Sequence, residues 1–252
     1  MNIEALIVGV GTGNPDHLTV EAIAALNAVE VFLVADKGAV KRDLTALRTE
    51  ICRRHIRHDR YRVVEMPDPE RERGGADYDA AVADWHVRRA DAYAEVMARE
   101  LPRGGTVGFL VWGDPAFYDS TIRIADDLVG REAISDFHVV PGISSLQLLA
   151  AAHRIVLNQI GQPVHITTGR RLVAEYTADL GDVVVMLDGD LACGDLVPLY
   201  PDLEIFWGAQ LGLPDQQLRA GRLGAVIEEI RAVRSRLRDR RGWVMDTYLL
   251  RR

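Results

Sequence analysis

The sequence predicts an α/β fold arranged as two domains, and three observations carry that prediction. Short apolar runs alternate with helix-period patterns from one end of the chain to the other, the mark of strands that cross over through helices into a parallel sheet. Several of those runs end in glycine-containing turns that lead into a helix start, where open parallel sheets take their ligands. At 252 residues the chain is long enough for one large core or two of ordinary size. A break in the pattern at 114–121 divides it into 1–115 and 116–252.

Strands are expected at 3–9, 30–35, 62–66, 106–112, 137–140, 163–168, 182–187, 203–208 and 242–249. The first, Ile3 to Val10, is apolar and partly β-branched, as a strand buried on both faces is. Gly9, Gly11 and Gly13 follow; glycine can take φ > 0 and lets a ligand reach the main chain. Thr19 is the expected N-cap of the next helix, with Glu21 in its first turn. A tight βα turn without a ligand would satisfy the same residues. The spacing fails the dinucleotide fingerprint Gly-x-Gly-x-x-Gly, because Asn14 stands sixth counting from Gly9. It fits the Gly-x-Gly-x-Gly of Rossmann-like methyltransferases, in which Asp36 at the end of the second strand would bind a ribose. Two cofactor classes stay open at this turn.

Further along, Tyr78, Val82, Trp85, Tyr93 and Val96 recur at helical spacing, so a long helix is expected over 78–101, stopped by Pro102 and Gly104-Gly105. The charged loop 67–77 before it has the length of a lid or of a surface connection. The strand TVGFLVW runs into Gly113-Asp114-Pro115-Ala116-Phe117-Tyr118, a glycine and a carboxylate at a strand's carboxyl end. There Asp114 is either a turn residue or a partner for a sulfonium or ribose. FHVVPGISS at 137–145 repeats the arrangement, with Ser144 and Ser145 opening a helix.

Composition excludes several classes. Hydrophobic residues make up 48% of the chain and charged residues 27%, which is ordinary for a globular protein. No apolar run reaches the ~18 residues of a membrane span and no signal-peptide pattern begins the chain, so a cytoplasmic protein is expected. A net charge of −7 argues against a general nucleic-acid binder. The charge is uneven: 41–62 carries eight Lys or Arg against three acids, and 219–241 again eight against three. Solvated helix faces explain such blocks, and so does a polyanionic substrate. Cys52 and Cys193 form no CxxC pair, and His55-x-x-His58 has no third ligand nearby, so neither a disulfide nor a metal is expected.

The segments GVGTGNPDHLT (9–19), GDPAFY (113–118) and VVPGISS (139–145), in this order and spacing, resemble the tetrapyrrole methylases. VVVMLDG at 183–189 and LGLPDQQLRAGRL at 211–223 extend the resemblance over nearly the whole chain. It implies two α/β/α domains with S-adenosylmethionine in the cleft between them and S-adenosylhomocysteine as product. Carried over position by position, it implies cofactor contacts from Gly113, Asp114, Phe117, Ser144, Ser145, Met186, Leu211 and Gly212. Thr12 stands where the commoner family form has proline, so its hydroxyl is a candidate for the same set.

The forms ADKG (35–38), MPDPER (66–71) and WGDPAFYDST (112–121) most resemble the branch of the family that methylates C-1 of the corrin precursor precorrin-5 and removes an acetyl group as acetate. That hydrolysis wants a general base and an oxyanion donor, for which Asp16, Asp36 and Tyr118 are the candidates, with His17 and Lys37 beside them. Lys37, Lys41 and Arg42 are expected to clamp the carboxylates of the tetrapyrrole. The resemblance also implies a homodimer. Two other readings share these residues: a sibling methyltransferase acting at another precorrin position or on a macromolecule, and a nucleotide-binding module without catalysis.

Overall fold

The computed structural model describes residues 2–36, 42–70 and 78–252. Lys37, Lys41 and most of the 67–77 loop lie outside the described residues, as do the side chains of Asp36 and Arg42. The chain divides into two compact units, Met1–Ile143 and Ser144–Arg252.

The first unit is a five-stranded parallel sheet in the order β3-β2-β4-β1-β5. Its strands are β1 (Ile3–Gly9), β2 (Val31–Asp36), β3 (Arg62–Pro67), β4 (Gly105–Val111) and β5 (Asp136–Val140). Alternate residues of each strand serve opposite faces. Ile3, Ala5 and Ile7 join Val107 and Phe109 in a core closed by α3 (Tyr78–Glu100) and α4 (Thr121–Gly130). Val8, Val10, Phe32 and Leu110 face the other way, under α1 (Val20–Leu26) and α2 (Arg42–His55). The layers are therefore helix, sheet, helix. Thr19 caps α1 as expected, its Oγ1 accepting from the Ala22 amide at 3.0 Å. The candidate metal histidines are spent as pins. His55 Nε2 lies 2.9 Å from the Pro15 carbonyl and His58 Nε2 3.0 Å from that of Asn27, fastening α2 and the segment after it to neighbouring loops.

The unit boundary falls between Ile143 and Ser144, not at the expected 115/116. The loop after β4 looks like a break in sequence, but the chain returns through α4 and adds β5 to the same sheet, paired in parallel with β1.

The second unit corrects the expectation of purely parallel sheets. Its order is β6-β7-β10-β8-β9, from β6 (Val164–Thr168), β7 (Asp182–Met186), β8 (Glu204–Ala209), β9 (Gln217–Arg222) and β10 (Asp246–Arg251). Only β6 and β7 pair in parallel, and the other three pairs are antiparallel. One face packs Val183, Val185, Ile205, Trp207, Tyr248 and Leu250 against α6 (Gly169–Glu175) and α7 (Leu223–Arg241). Helix α5 (Ser145–His153) contacts β8 and β10 and brings Leu149 to the sheet. Trp207 and Tyr248 are fully buried, and each such aromatic brings 150–250 Å² out of water.

Candidate active site

In the first unit the site grows from three adjacent strand ends. Beyond β1 and β4 the chains stay zipped: the Gly11 amide donates to the Gly113 carbonyl at 3.2 Å and the Gly113 amide to that of Gly11 at 2.7 Å. The turn after β5 lies against both. A Cβ on Gly9 would stand 2.5 Å from the Gly142 nitrogen, and one on Gly142 would stand 2.2 Å from the Gly113 oxygen. These glycines are thus needed first for backbone-on-backbone packing. Gly11 and Gly113 also take φ +69° and +71°, which only glycine adopts freely.

Asp114 locks this floor together. Its Oδ2 accepts from the Gly142 amide and its Oδ1 from the Ala116 amide, each at 2.8 Å. The carboxylate expected to meet the cofactor is engaged with main chain. Thr12 is buried, at 6% exposure, and Tyr118 is exposed with a left-handed backbone at φ +53°. Asp16 lies on the 3-10 turn Pro15–His17, its carboxylate 2.7 Å from an Arg54 nitrogen. In the same turn His17 Nδ1 is buried without a hydrogen-bond partner among the described residues.

In the second unit Ser144 is consumed as the N-cap of α5. Its Oγ accepts from the Leu146 amide at 3.2 Å, while its own amide donates to Gln147 Oε1 at 3.0 Å in a capping box. Ser145 Oγ is 3.0 Å from Thr247 Oγ1 on β10. Each hydroxyl thus has a partner within the second unit.

Met186 ends β7, and the turn after it carries Leu187 at φ +52° with its side chain exposed. A buried network that the sequence reading did not single out holds this turn. Asp188 Oδ2 accepts from the Ala192 amide at 2.8 Å and from Tyr248 Oη at 2.5 Å. Arg234 donates to the Asp188 carbonyl at 2.6 Å and pairs with Asp246 at 2.8 Å, and Asp246 also accepts from Trp207 Nε1 at 2.8 Å. Burial raises the Asp246 carboxyl above its ordinary range, against Arg234 and Trp207, which favour its charge. Burial likewise lifts the Tyr248 phenol well above its usual value, so it acts as a hydrogen-bond donor.

Between β8 and β9 lies Gln210, at φ +52° and 1% exposure. Its Oε1 and Nε2 are buried with no hydrogen-bond partner among the described residues, an arrangement native structures seldom leave unexplained. Leu211, at 4% exposure, and Gly212, at φ +81°, follow it, and the Gly212 amide donates to Gln216 Oε1 at 2.9 Å. The only sequence signal for Gln210 was its place beside Leu211 and Gly212.

The model of the family "Tetrapyrrole (Corrin/Porphyrin) Methylases" matches residues 6–227. A Sinorhizobium protein named precorrin-6A synthase [deacetylating] is 46% identical over 248 residues, covering 98% of this chain and 94% of that one. A precorrin-2 C(20)-methyltransferase, also from Sinorhizobium, is 27% identical over 180 residues, or 69% of this chain and 68% of its own length. Among solved structures, a cobalamin-synthesis-related protein (CobF) of Corynebacterium diphtheriae superimposes with a TM-score of 0.84 at 37% identity, over 100% of this chain and 98% of that one. The cobalt-precorrin-4 methyltransferase CbiF shares the fold, with a TM-score of 0.67 at 17% identity over 98% of this chain and 94% of its own. On the family match and the near full-length relative together, the chain belongs to the tetrapyrrole (corrin/porphyrin) methylases.

Proposed function

We propose that this chain transfers a methyl group from S-adenosylmethionine to C-1 of precorrin-5 and releases the substrate's acetyl group as acetate, a step of cobalamin biosynthesis. The observation that carries this reading is the 46% identity over 98% of the chain with the deacetylating relative, against 27% over 69% with the C(20) enzyme.

The sulfonium cofactor supplies an already activated methyl group and leaves as S-adenosylhomocysteine. What the protein must add is alignment, which can lower a barrier by up to ~7–11 kcal/mol. The second unit fits such a cofactor on one observation in particular: Gln210 presents a buried, unpartnered donor and acceptor beside Leu211 and Gly212. A carboxamide of that kind matches the paired acceptor and donor edge of adenine. Met186, at the end of β7 before the turn braced by Asp188, keeps the cofactor-side role that the resemblance implies, and Leu211 and Gly212 lend apolar surface and main chain. From the first unit, Thr12, Phe117 and the backbone of Gly113 are proposed for the same ligand. Asp114, Ser144 and Ser145 act instead by shaping the loops that carry them.

Deacetylation adds water across the acetyl carbonyl and breaks the carbon–carbon bond to the ring, yielding acetate and leaving the bonding pair on the ring carbon, where a proton or the transferred methyl group takes it up. Asp16, oriented by Arg54, is the proposed base, with Tyr118 and Asp36 as further proton-handling candidates. Lys37, Lys41 and Arg42 are proposed to meet the carboxylates of the tetrapyrrole. Among the described residues no helix is long and apolar enough to cross a membrane, and we read the enzyme as a cytoplasmic homodimer. The test is incubation with precorrin-5 and S-adenosylmethionine. Equimolar methylated corrinoid and acetate are expected, and methylation without acetate would reject the deacetylating assignment.

A further inference from the structure

At the carboxyl ends of β2 and β4 the first unit encloses a cavity of about 60 Å³, room for several water molecules. Strand residues 33–35 and 109–111 line it together with Arg48, Arg89, Tyr93, Asp119 and Thr121, and most of the surface facing the cavity is polar. Two acids stand near these arginines. Asp119 Oδ1 accepts from the Thr121 amide at 2.7 Å, opening α4, and Asp68 lies 3.3 Å from Arg89 Nε. Arg89 is further held over the rings of Trp85, at 4.8 Å, and Tyr93, at 5.4 Å.

Arg48 is different. Its guanidinium lies 5.9 Å from the Trp112 ring centre, and its Nε is buried with no hydrogen-bond partner among the described residues. Burial lowers its pKa, with Asp119 and Tyr93 opposing that shift and Arg89 reinforcing it. A guanidinium remains protonated under such a shift, so the cavity keeps a cationic donor, with the Asp119 carboxylate as its neighbour. A small, polar-lined cavity that holds planar forks of N–H groups suits a small carboxylate.

We propose that this cavity is a subsite for a small carboxylate, taken by Arg48 and Arg89 together. The inference rests on the function proposed above, which offers two sources of that group: a carboxylate arm of the tetrapyrrole, or the acetate released from it.

The test titrates acetate, with chloride as control, into the full chain without cofactor or tetrapyrrole, and follows saturation-transfer NMR of the acetate methyl. Saturable binding is expected, weakened roughly 10- to 100-fold by Arg48→Met and to a smaller degree by Arg48→Lys, with circular dichroism confirming that each variant is folded. If the source is the substrate arm, acetate competes with precorrin-5 and Arg48→Met raises KM far more than it lowers kcat. If the source is the product, Arg48→Met relieves inhibition by acetate and leaves KM unchanged. No acetate binding by the wild-type chain, or wild-type affinity in the folded variants, overturns the proposal. Because binding is read without turnover, that failure is separate from any failure of the methylation and deacetylation assay.

Discussion

Asp114→Asn separates a structural clamp from a ligand contact. The wild-type carboxylate holds two backbone amides, of Gly142 and Ala116, at 2.8 Å each. Asparagine preserves shape and one acceptor oxygen, but its NH2 then faces an N–H and one amide loses its partner. A hydrogen bond to a charged group contributes about 1.5–3 kcal/mol, and an orphaned amide costs about 1–3 kcal/mol. These are two views of the same bond, so the expected loss is roughly 2–3 kcal/mol rather than their sum. For a chain of this size each kcal/mol moves Tm by roughly 2–4 °C, giving a fall of roughly 4–12 °C without any ligand. Melting followed by circular dichroism measures it, with S-adenosylmethionine affinity determined on the same samples. If Asp114 served only a bound ligand, the unliganded Tm would stay within about 1 °C of wild type and only the cofactor Kd would move. That outcome refutes the clamp.

Gln210→Leu removes a buried unpaired amide, so it should stabilise the unliganded chain by about 1–3 kcal/mol while weakening S-adenosylmethionine roughly tenfold; a lowered Tm with unchanged affinity rejects the assignment. Burial, with Arg123 and Arg89 nearby, lowers the His86 pKa from 6.5. The unfolded chain therefore takes up this proton first, and the stability His86 contributes is full above 6.5 and declines as pH falls through the window below it. Urea titrations between about pH 5 and 7 should show a shallower decline in His86→Gln, and equal slopes in the two proteins would count against this. Burial also pushes Cys52 to about 11 and Cys193 to about 12. A thiol reagent at about pH 8 should label neither in the folded chain and both in denaturant; rapid labelling of the native protein contradicts that burial.

The local features were the readable ones. Apolar runs and breakers place nine of the strands and the helix 78–100 within a few residues, because β-branched runs, proline and glycine act on their own neighbourhood. β9 was missed: Gln217–Arg222 is polar, half-exposed and lies at a sheet edge, so its apolar signal is weak. The direction of β10 was equally hidden, since alternation along a strand says nothing about the strand it will join, and here it enters between β7 and β8. At the site, glycine turns announced themselves, whereas Asp188, Tyr248 and Arg234 are far apart in sequence and meet only in the fold. Asp114 shows the converse. Its position was legible, but its engagement with Gly142 depended on β5 joining the first sheet.

The two units reach rigid loops by opposite means, and the difference bears on how a methyltransferase of this kind works. In the first, glycines stand where the strand ends meet, and one carboxylate ties the Gly142 and Ala116 amides together. In the second, a buried network of two aspartates, an arginine, a tyrosine and a tryptophan supports a single turn. Both carry left-handed residues that are not glycine: Tyr118 in one, Leu187 and Gln210 in the other. Each such residue costs of order 1–3 kcal/mol, a large share of the 5–15 kcal/mol by which a native chain is usually stable, and persists only where its surroundings over-determine it. Of the six such residues among those described, Tyr118, Leu187 and Gln210 lie on the loops that the resemblance assigns to the cofactor, and Glu132, Arg154 and Leu191 lie outside the positions it names. Since a sulfonium needs alignment more than covalent assistance, backbone held against its own preference, with its hydrogen bonds already made, supplies that alignment before a ligand arrives.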